Sequence, residues 1–449
     1  MSGFTIIALT ALCFAAIGIF LSRGKIHTVE DFSLSRNTLK PWSLSLTLFA
    51  TGMGVWILFG PAEALLAAGV VALFFYALSS TLSLWIFAIL GKKIRETLPH
   101  GTSLVEFVLQ RFGVWMYLLV LIVTFIYMAL AMTAELTGIG LASELLFGTP
   151  AWQTILMVGI CTMAYTALGG FRASVATDKV QTLVILPLFA LLVVVGVVSN
   201  GTDVLGEAVM PTLSGFEYGI ALLIGVLSAE AFNQVWWQRV YSSKTTQTMQ
   251  KGFFTAGAMV FPVVFIAGLL GLYGLAQNPD INPSVAVFGL FQTLPPWLMM
   301  STLVLAVSLM MSSMDSLLSG MASILTYDAR RLKPQISEKR LVTVAKVLTV
   351  LFALGSMLVA TQGFSVLYLF LVADLICAGI AFPVFYGLFS KRVGRATALI
   401  ASAAGILGGA LLFPDPTFTH GTLIGSFSLA FFLPIAITLL FEKKGDSLN

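Results

Sequence analysis

Residues 50–61 read Ala-Thr-Gly-Met-Gly-Val-Trp-Ile-Leu-Phe-Gly-Pro and lie inside an apolar run, 43–67. A run of that length can cross a bilayer, which takes about 20 mostly apolar residues. Gly52, Gly54 and Gly60 permit the backbone to unwind, and Pro61 withholds an amide donor. The segment reads either as a kinked packing helix or as a span broken within the membrane. A second run has the same character: Ser228-Ala229-Glu230-Ala231-Phe232-Asn233-Gln234 places polar groups in the middle of a span. Paired interrupted helices mark a secondary transporter whose cargo binds where helices unwind.

Composition agrees. Of the 449 residues, 58% are hydrophobic and 10% are charged, and the mean hydropathy is +0.98. Soluble domains are about 45–50% apolar and about 25% charged. A water-soluble or disordered chain is therefore excluded, as is an outer-membrane barrel with its alternating polar and apolar residues. The fold class expected is an all-α polytopic membrane protein. Thirteen spans are expected, near 4–22, 43–67, 70–90, 114–142, 152–169, 179–199, 217–236, 253–276, 297–325, 342–361, 365–389, 395–413 and 421–441. Cys13, Cys161 and Cys377 lie in apolar runs without disulfide or metal spacing and read as small buried hydrophobes.

All 24 Lys and Arg fall on alternate connections between these spans. By the positive-inside rule those connections face the cytoplasm, as does the tail carrying Lys443 and Lys444, and the N-terminus lies outside. No base precedes 4–22, while Arg23 and Lys25 follow it, so the first run reads as a span and not a secretory signal. The expected organisation is a first span and cytoplasmic loop (1–42), a five-helix unit (43–199), an outer loop (200–216), a second five-helix unit (217–389), and two last spans with a short tail (390–449). Five helices per unit give the two units opposite orientation, an inverted repeat. No fused output domain is expected.

Glu63, Glu135, Glu230, Asp315 and Asp374 lie in apolar runs, and Asp178 opens another. Each costs about 2.5–3.5 kcal/mol at mid-membrane. No Lys or Arg is expected among them. Embedded acids without embedded bases point to a cationic partner, namely a metal ion, a proton or a cationic solute. The alternative is a protonated or helix-capping carboxyl. In the ninth span Ser312, Ser316, Ser319 and Ser323 recur at helical spacing, with Ser313 and Asp315 beside them. A hard cation wants such oxygens; alternatively, each serine bonds back to its own helix.

Three segments carry a family likeness. They are Gly-Gly-Phe-Arg-Ala-Ser-Val-Ala-Thr-Asp-Lys-Val-Gln at 169–181, Trp-Trp-Gln-Arg-Val-Tyr-Ser-Ser at 236–243, and 311–328, which starts Met-Ser-Ser-Met-Asp-Ser and ends Leu-Thr-Tyr-Asp. On these the chain resembles the sodium:solute symporters. The resemblance implies a leucine-transporter-type (LeuT) fold with a 5+5 inverted repeat and alternating access. It implies a main Na+ site made by the backbone carbonyls of Ala50, Met53 and Leu309 and the hydroxyls of Ser312 and Ser313. Asp178, Asp315 and Ser316 match a second cation site of some members, although Asp315 stands where those members often carry a hydroxyl. Gly52 stands where the family's proline transporters carry an aspartate.

The solute is expected between the broken helices, near Trp56, Glu63, Glu135, Glu230, Asn233, Gln234 and Asp374. Such groups suit a small polar or cationic solute. The function expected is a sodium-coupled symporter of the inner membrane. Proton coupling through Asp178 or Asp315 is the alternative, and a channel is a more distant one. No His cluster, GxSxG or HExxH argues for an enzyme, and His27, His100 and His420 fall in loops. The partners expected are the solute and the lipid bilayer. No nucleic acid or obligate protein partner is legible.

Overall fold

A computed structural model describes residues 2–201, 211–292, 295–416 and 420–442. Most of the outer loop 200–216, together with Lys443 and Lys444, lies outside the described residues. The chain is all-helical, and eleven helices among the described residues are long and apolar enough to cross a membrane. The difference from thirteen falls at two glycines. Gly60–Thr97 and Ala151–Asn200 are each two helices joined without a loop, at Gly69 (φ 81°) and Gly170 (φ 52°), where only glycine is comfortable. The connection expected between 169 and 179 is this joint at Gly170, and at about 1.5 Å per residue neither segment fits a single crossing of about 30 Å.

In chain order the first elements are α1 (Gly3–Ser22), α2 (Val29–Ser33), α3 (Pro41–Gly52), α4 (Gly60–Thr97), α5 (Leu104–Phe112), α6 (Val114–Phe147) and α7 (Ala151–Asn200). There follow α8 (Leu213–Glu230), α9 (Gln234–Ser242), α10 (Thr246–Gln277), α11 (Pro296–Leu332), α12 (Glu338–Ala360), α13 (Val366–Phe389), α14 (Arg395–Leu412) and α15 (Leu423–Leu440). Hydroxyl caps start several of them. Thr28 and Asp31 form a capping box on α2, and Ser103, Thr212 and Thr245 accept from the first turn of α5, α8 and α10.

Burial sorts the helices. In α11 and α13, 72% of the apolar window is buried, against 28% in α12 and α14, so the first two form the centre and the others the lipid-facing rim. The polar α11 face can exist only there, because hydrocarbon offers it no partners.

Both spans read as interrupted are interrupted. α3 ends at Gly52, a single 3-10 turn covers Val55–Leu58, and α4 starts at Gly60 with Pro61 in its first turn. α8 ends at Glu230, and α9 starts four residues on, at Gln234. The connections that carry the bases interlock at one end of the bundle. Arg36 donates to the Gly101 carbonyl (2.8 Å), Arg95 to those of Val240 (2.7 Å) and Ser243 (2.9 Å), and Arg111 to that of Val393 (3.0 Å). Arg172 pairs with Asp31 (2.6 Å), and Arg331 with Glu106 (2.8 Å).

Candidate functional site

The break after Gly52 separates two buried polar regions. The first lies where α3, α7, α9 and α11 meet, and Asp178, Arg239, Ser312 and Asp315 are all wholly buried there. Asp178 Oδ1 accepts from Ser312 Oγ (2.6 Å). Its Oδ2 accepts from the Thr47 hydroxyl and from Arg239 Nη2 (3.1 Å). The same Nη2 donates to Thr51 Oγ1 (2.6 Å) and Ser316 Oγ (2.8 Å). Asp315 gathers four donors: Ser174 (2.6 Å) and Ser316 (3.2 Å) on one oxygen, Tyr165 (2.5 Å) and Thr177 (3.1 Å) on the other. Two carboxylates therefore face one guanidinium. When both are ionised the cluster holds a surplus negative charge, which a low-dielectric interior tolerates only beside a proton or a cation.

Arg239 corrects the expectation that no base is embedded. The stretch Arg-Val-Tyr-Ser-Ser-Lys reads as a cytoplasmic connection, which is why its arginine counts with the loop bases in the sequence. In fact it sits on α9, which is buried along its length, and its guanidinium also lies 5.5 Å from the centre of the Phe171 ring.

At the break itself, Ser313 Oγ donates to the Thr51 carbonyl across 3.0 Å. The Met53 amide reaches back to the carbonyls of Phe49 (2.9 Å) and Ala50 (3.2 Å), closing α3. Each of these carbonyls keeps a second lone pair. Oxygens about 3 Å apart are spaced like neighbours in a shell of radius about 2.4 Å around a hard cation. Ala50, Met53 and Leu309 are buried. The rest of the α11 stripe divides: Ser323 bonds back to Gly320 (2.9 Å), and Ser308, also on α11, to Val304 (2.7 Å), whereas Ser312, Ser313 and Ser316 reach other helices.

The second region is a chamber of two adjoining lobes, of about 60 and about 40 Å³. Gly52, Trp56, Glu230, Trp236 and Phe370 line both. Tyr76 and Asp374 face the first lobe; Tyr127, Glu135, Asn233 and Ser313 face the second. Ser313 thus touches both the break and the chamber. Trp56 stacks on Tyr76 at 5.5 Å and meets Phe370 edge-on at 6.4 Å. Glu230 ends α8, and its Oε2 accepts from Trp236 Nε1 (2.5 Å) and Asn233 Nδ2 (3.0 Å).

Of the other residues expected near the solute, Glu135 lines the second lobe, whereas Gln234 and Glu63 line neither lobe. Glu135 Oε2 accepts from the Val55 amide (2.7 Å) and so caps the turn after the break. A Cβ on Gly54 would lie 1.8 Å from Glu135 Oε1, so this contact requires glycine. Gln234 turns away from the chamber and donates to the Thr102 carbonyl (2.9 Å). Glu63 lines a separate cavity of about 630 Å³ with Glu217 and Tyr218.

The sodium:solute symporter family profile matches residues 32–405. The chain belongs to that family. This symporter is 28% identical over 419 residues to a spermidine transporter of Candida albicans, covering 91% of this chain and 79% of the relative. It is 26% identical over 447 residues to a sodium/glucose cotransporter of Vibrio parahaemolyticus, covering 87% of this chain and 81% of the relative. Its fold matches a Na+-coupled sialic acid symporter in a substrate-bound outward-open state, with TM-score 0.79, 18% identity and 99% of each chain covered. The symporter shares the LeuT-type architecture with that structure.

Sequence reasoning missed several residues of the symporter's two polar regions. Tyr165, Ser174 and Thr177 reach Asp315 from α7, and only Ser174 and Thr177 lie inside one of the three family segments. Tyr76, Tyr127 and Phe370 are single aromatics in apolar helices, and nothing in a linear pattern separates them from packing residues. Trp236 and Arg239 lie in a family segment whose burial the sequence does not disclose.

Proposed function

We propose that this protein is a sodium-coupled symporter that imports a small polar solute by alternating access. The relatives' solutes, spermidine for one and glucose for the other, differ, so the solute class is left to the chamber. The reading rests on one observation: the Ser313 hydroxyl bridges to the Thr51 carbonyl across the α3 break and also faces the chamber. Na+ bound by the carbonyls of Ala50, Met53 and Leu309 and the hydroxyls of Ser312 and Ser313 would tie α3 to α11. A solute in the chamber would touch the same pair of helices. Each then raises the other's affinity by an equal factor, because binding linkage is reciprocal. The membrane potential adds about 2.3 kcal/mol per charge per 100 mV.

Arg239 bears on stoichiometry. It neutralises Asp178 at the second candidate cation position, among Asp178, Asp315 and Ser316, so one mobile cation per cycle balances the cluster. Thirteen spans, two inverted repeats over 43–199 and 217–389, and an inner-membrane location with the basic end cytoplasmic complete the proposal. The basic connections meeting at one end support that sidedness.

A proton-coupled cycle is the second reading, favoured by the surplus negative charge of two wholly buried carboxylates, Asp178 and Asp315, around one guanidinium. Charge displacement in proteoliposomes on a solid-supported membrane separates the two without knowledge of the solute. A sodium jump at constant pH produces a transient current under sodium coupling. A transient only on a pH jump in sodium-free potassium buffer would replace sodium with the proton.

A further inference from the structure

We infer that the chamber binds an aliphatic amine carrying two ammonium groups; this rests on the symporter reading and names its solute class. Glu230 and Asp374 face the same lobe, and Asp374 is 4% exposed. Glu230 is held by Trp236 and Asn233. Asp374 makes no hydrogen bond or ion pair with protein among the described residues. An acid so deeply buried with no partner is costly unless something else supplies positive charge. No Lys, Arg or His lines either lobe. Arg239, the base of the other polar region, is engaged by Asp178, Thr51 and Ser316.

The walls fit the same ligand. Trp56, Tyr76, Trp236, Tyr127 and Phe370 present ring surfaces, and aromatic faces within about 6 Å attract ammonium groups. Ser80 and Ser83 add hydroxyls that accept from N–H donors. Two narrow adjoining lobes suit a slender chain better than a sugar ring. A carboxylate solute would meet two acids and no base. The outer cavity continues the pattern, since it holds Glu63 and Glu217 and no base. Such a one-sign vestibule concentrates cations before they enter.

The test uses the full-length protein in detergent and reads tryptophan fluorescence, because Trp56 and Trp236 line the chamber. Putrescine, choline, glucose and glutamate are titrated in sodium and in potassium buffer. Saturable quenching by putrescine, at least tenfold tighter than by choline and absent with glucose and glutamate, is expected. Asp374→Asn should weaken putrescine at least tenfold while the thermal transition persists. If Asp374→Asn does not fold, the wild-type ranking decides alone. Tighter binding of choline, glucose or glutamate than of putrescine overturns the inference, as does undiminished putrescine binding in folded Asp374→Asn. Putrescine binding with equal affinity in sodium and potassium would leave this inference standing and defeat the coupling reading instead.

Discussion

Arg239→Gln removes the buried cation and keeps a polar side chain in its place. Asp178, wholly buried, would then share the interior with Asp315 and no guanidinium. Removing one partner of a buried ion pair costs about 3–5 kcal/mol, chiefly because the surviving charge is stranded. Thr47, Thr51 and Ser312 would still donate to Asp178, which favours the lower end of that range. A bound sodium ion would recover part of the loss. At a hundredfold excess over its dissociation constant, a single ligand stabilises by about 2.7 kcal/mol. Thermal unfolding of purified protein in detergent, in potassium and in sodium, measures both effects. The variant should melt well below the wild type in potassium and gain more from sodium than the wild type does. Equal melting in potassium would show that Arg239 does not balance the cluster, and the stoichiometry argued from it would fall.

Ser313→Ala removes one oxygen at the break. A ligand worth about 1.4 kcal/mol raises the half-saturating sodium concentration tenfold, which charge displacement after sodium jumps would read. Gly54→Ala forces a Cβ onto the Glu135 carboxylate and should abolish sodium-driven currents while the protein still inserts, as scored by current and by size-exclusion profile. On α2, outside the spans, burial pushes the Asp31 carboxyl up, but the Thr28 hydroxyl, the His27 and Thr28 amides and the Arg172 guanidinium outweigh it and hold the group below the usual carboxylate range. Its contribution to stability is therefore present above the ordinary aspartate value of about 3.9 and is lost as pH falls through the lowered one. Asp31→Asn should flatten the acid limb of the melting-temperature profile, a change absent if the Arg172 pair is immaterial.

Much of the fold is legible in the sequence because lipid leaves few choices. Apolar runs must be helices, and the two runs that break, at Gly52 and after Glu230, are marked by glycine, proline and misplaced polar groups. Gly69 and Gly170, where two helices join without a loop, fall at span boundaries that the sequence marks, at 67–70 and 169–179. The α11 hydroxyls are found by their spacing, which puts Ser312 and Ser316 on one face toward Asp178 and Arg239. Arg239 is not, because charge in a short helix looks the same whether the helix lies in water or in protein. The chamber's aromatics are illegible for a related reason: Tyr76 and Phe370 meet only after α4 and α13 pack around Trp56.

Radioactive sodium binding to the purified wild type and to the Ser312→Ala/Ser313→Ala double variant tests the cation site most directly. Saturable binding of one ion per chain in the wild type, lost in a folded double variant, is the expected result. Binding of equal affinity and amount in both proteins would contradict a sodium site between the α3 break and α11.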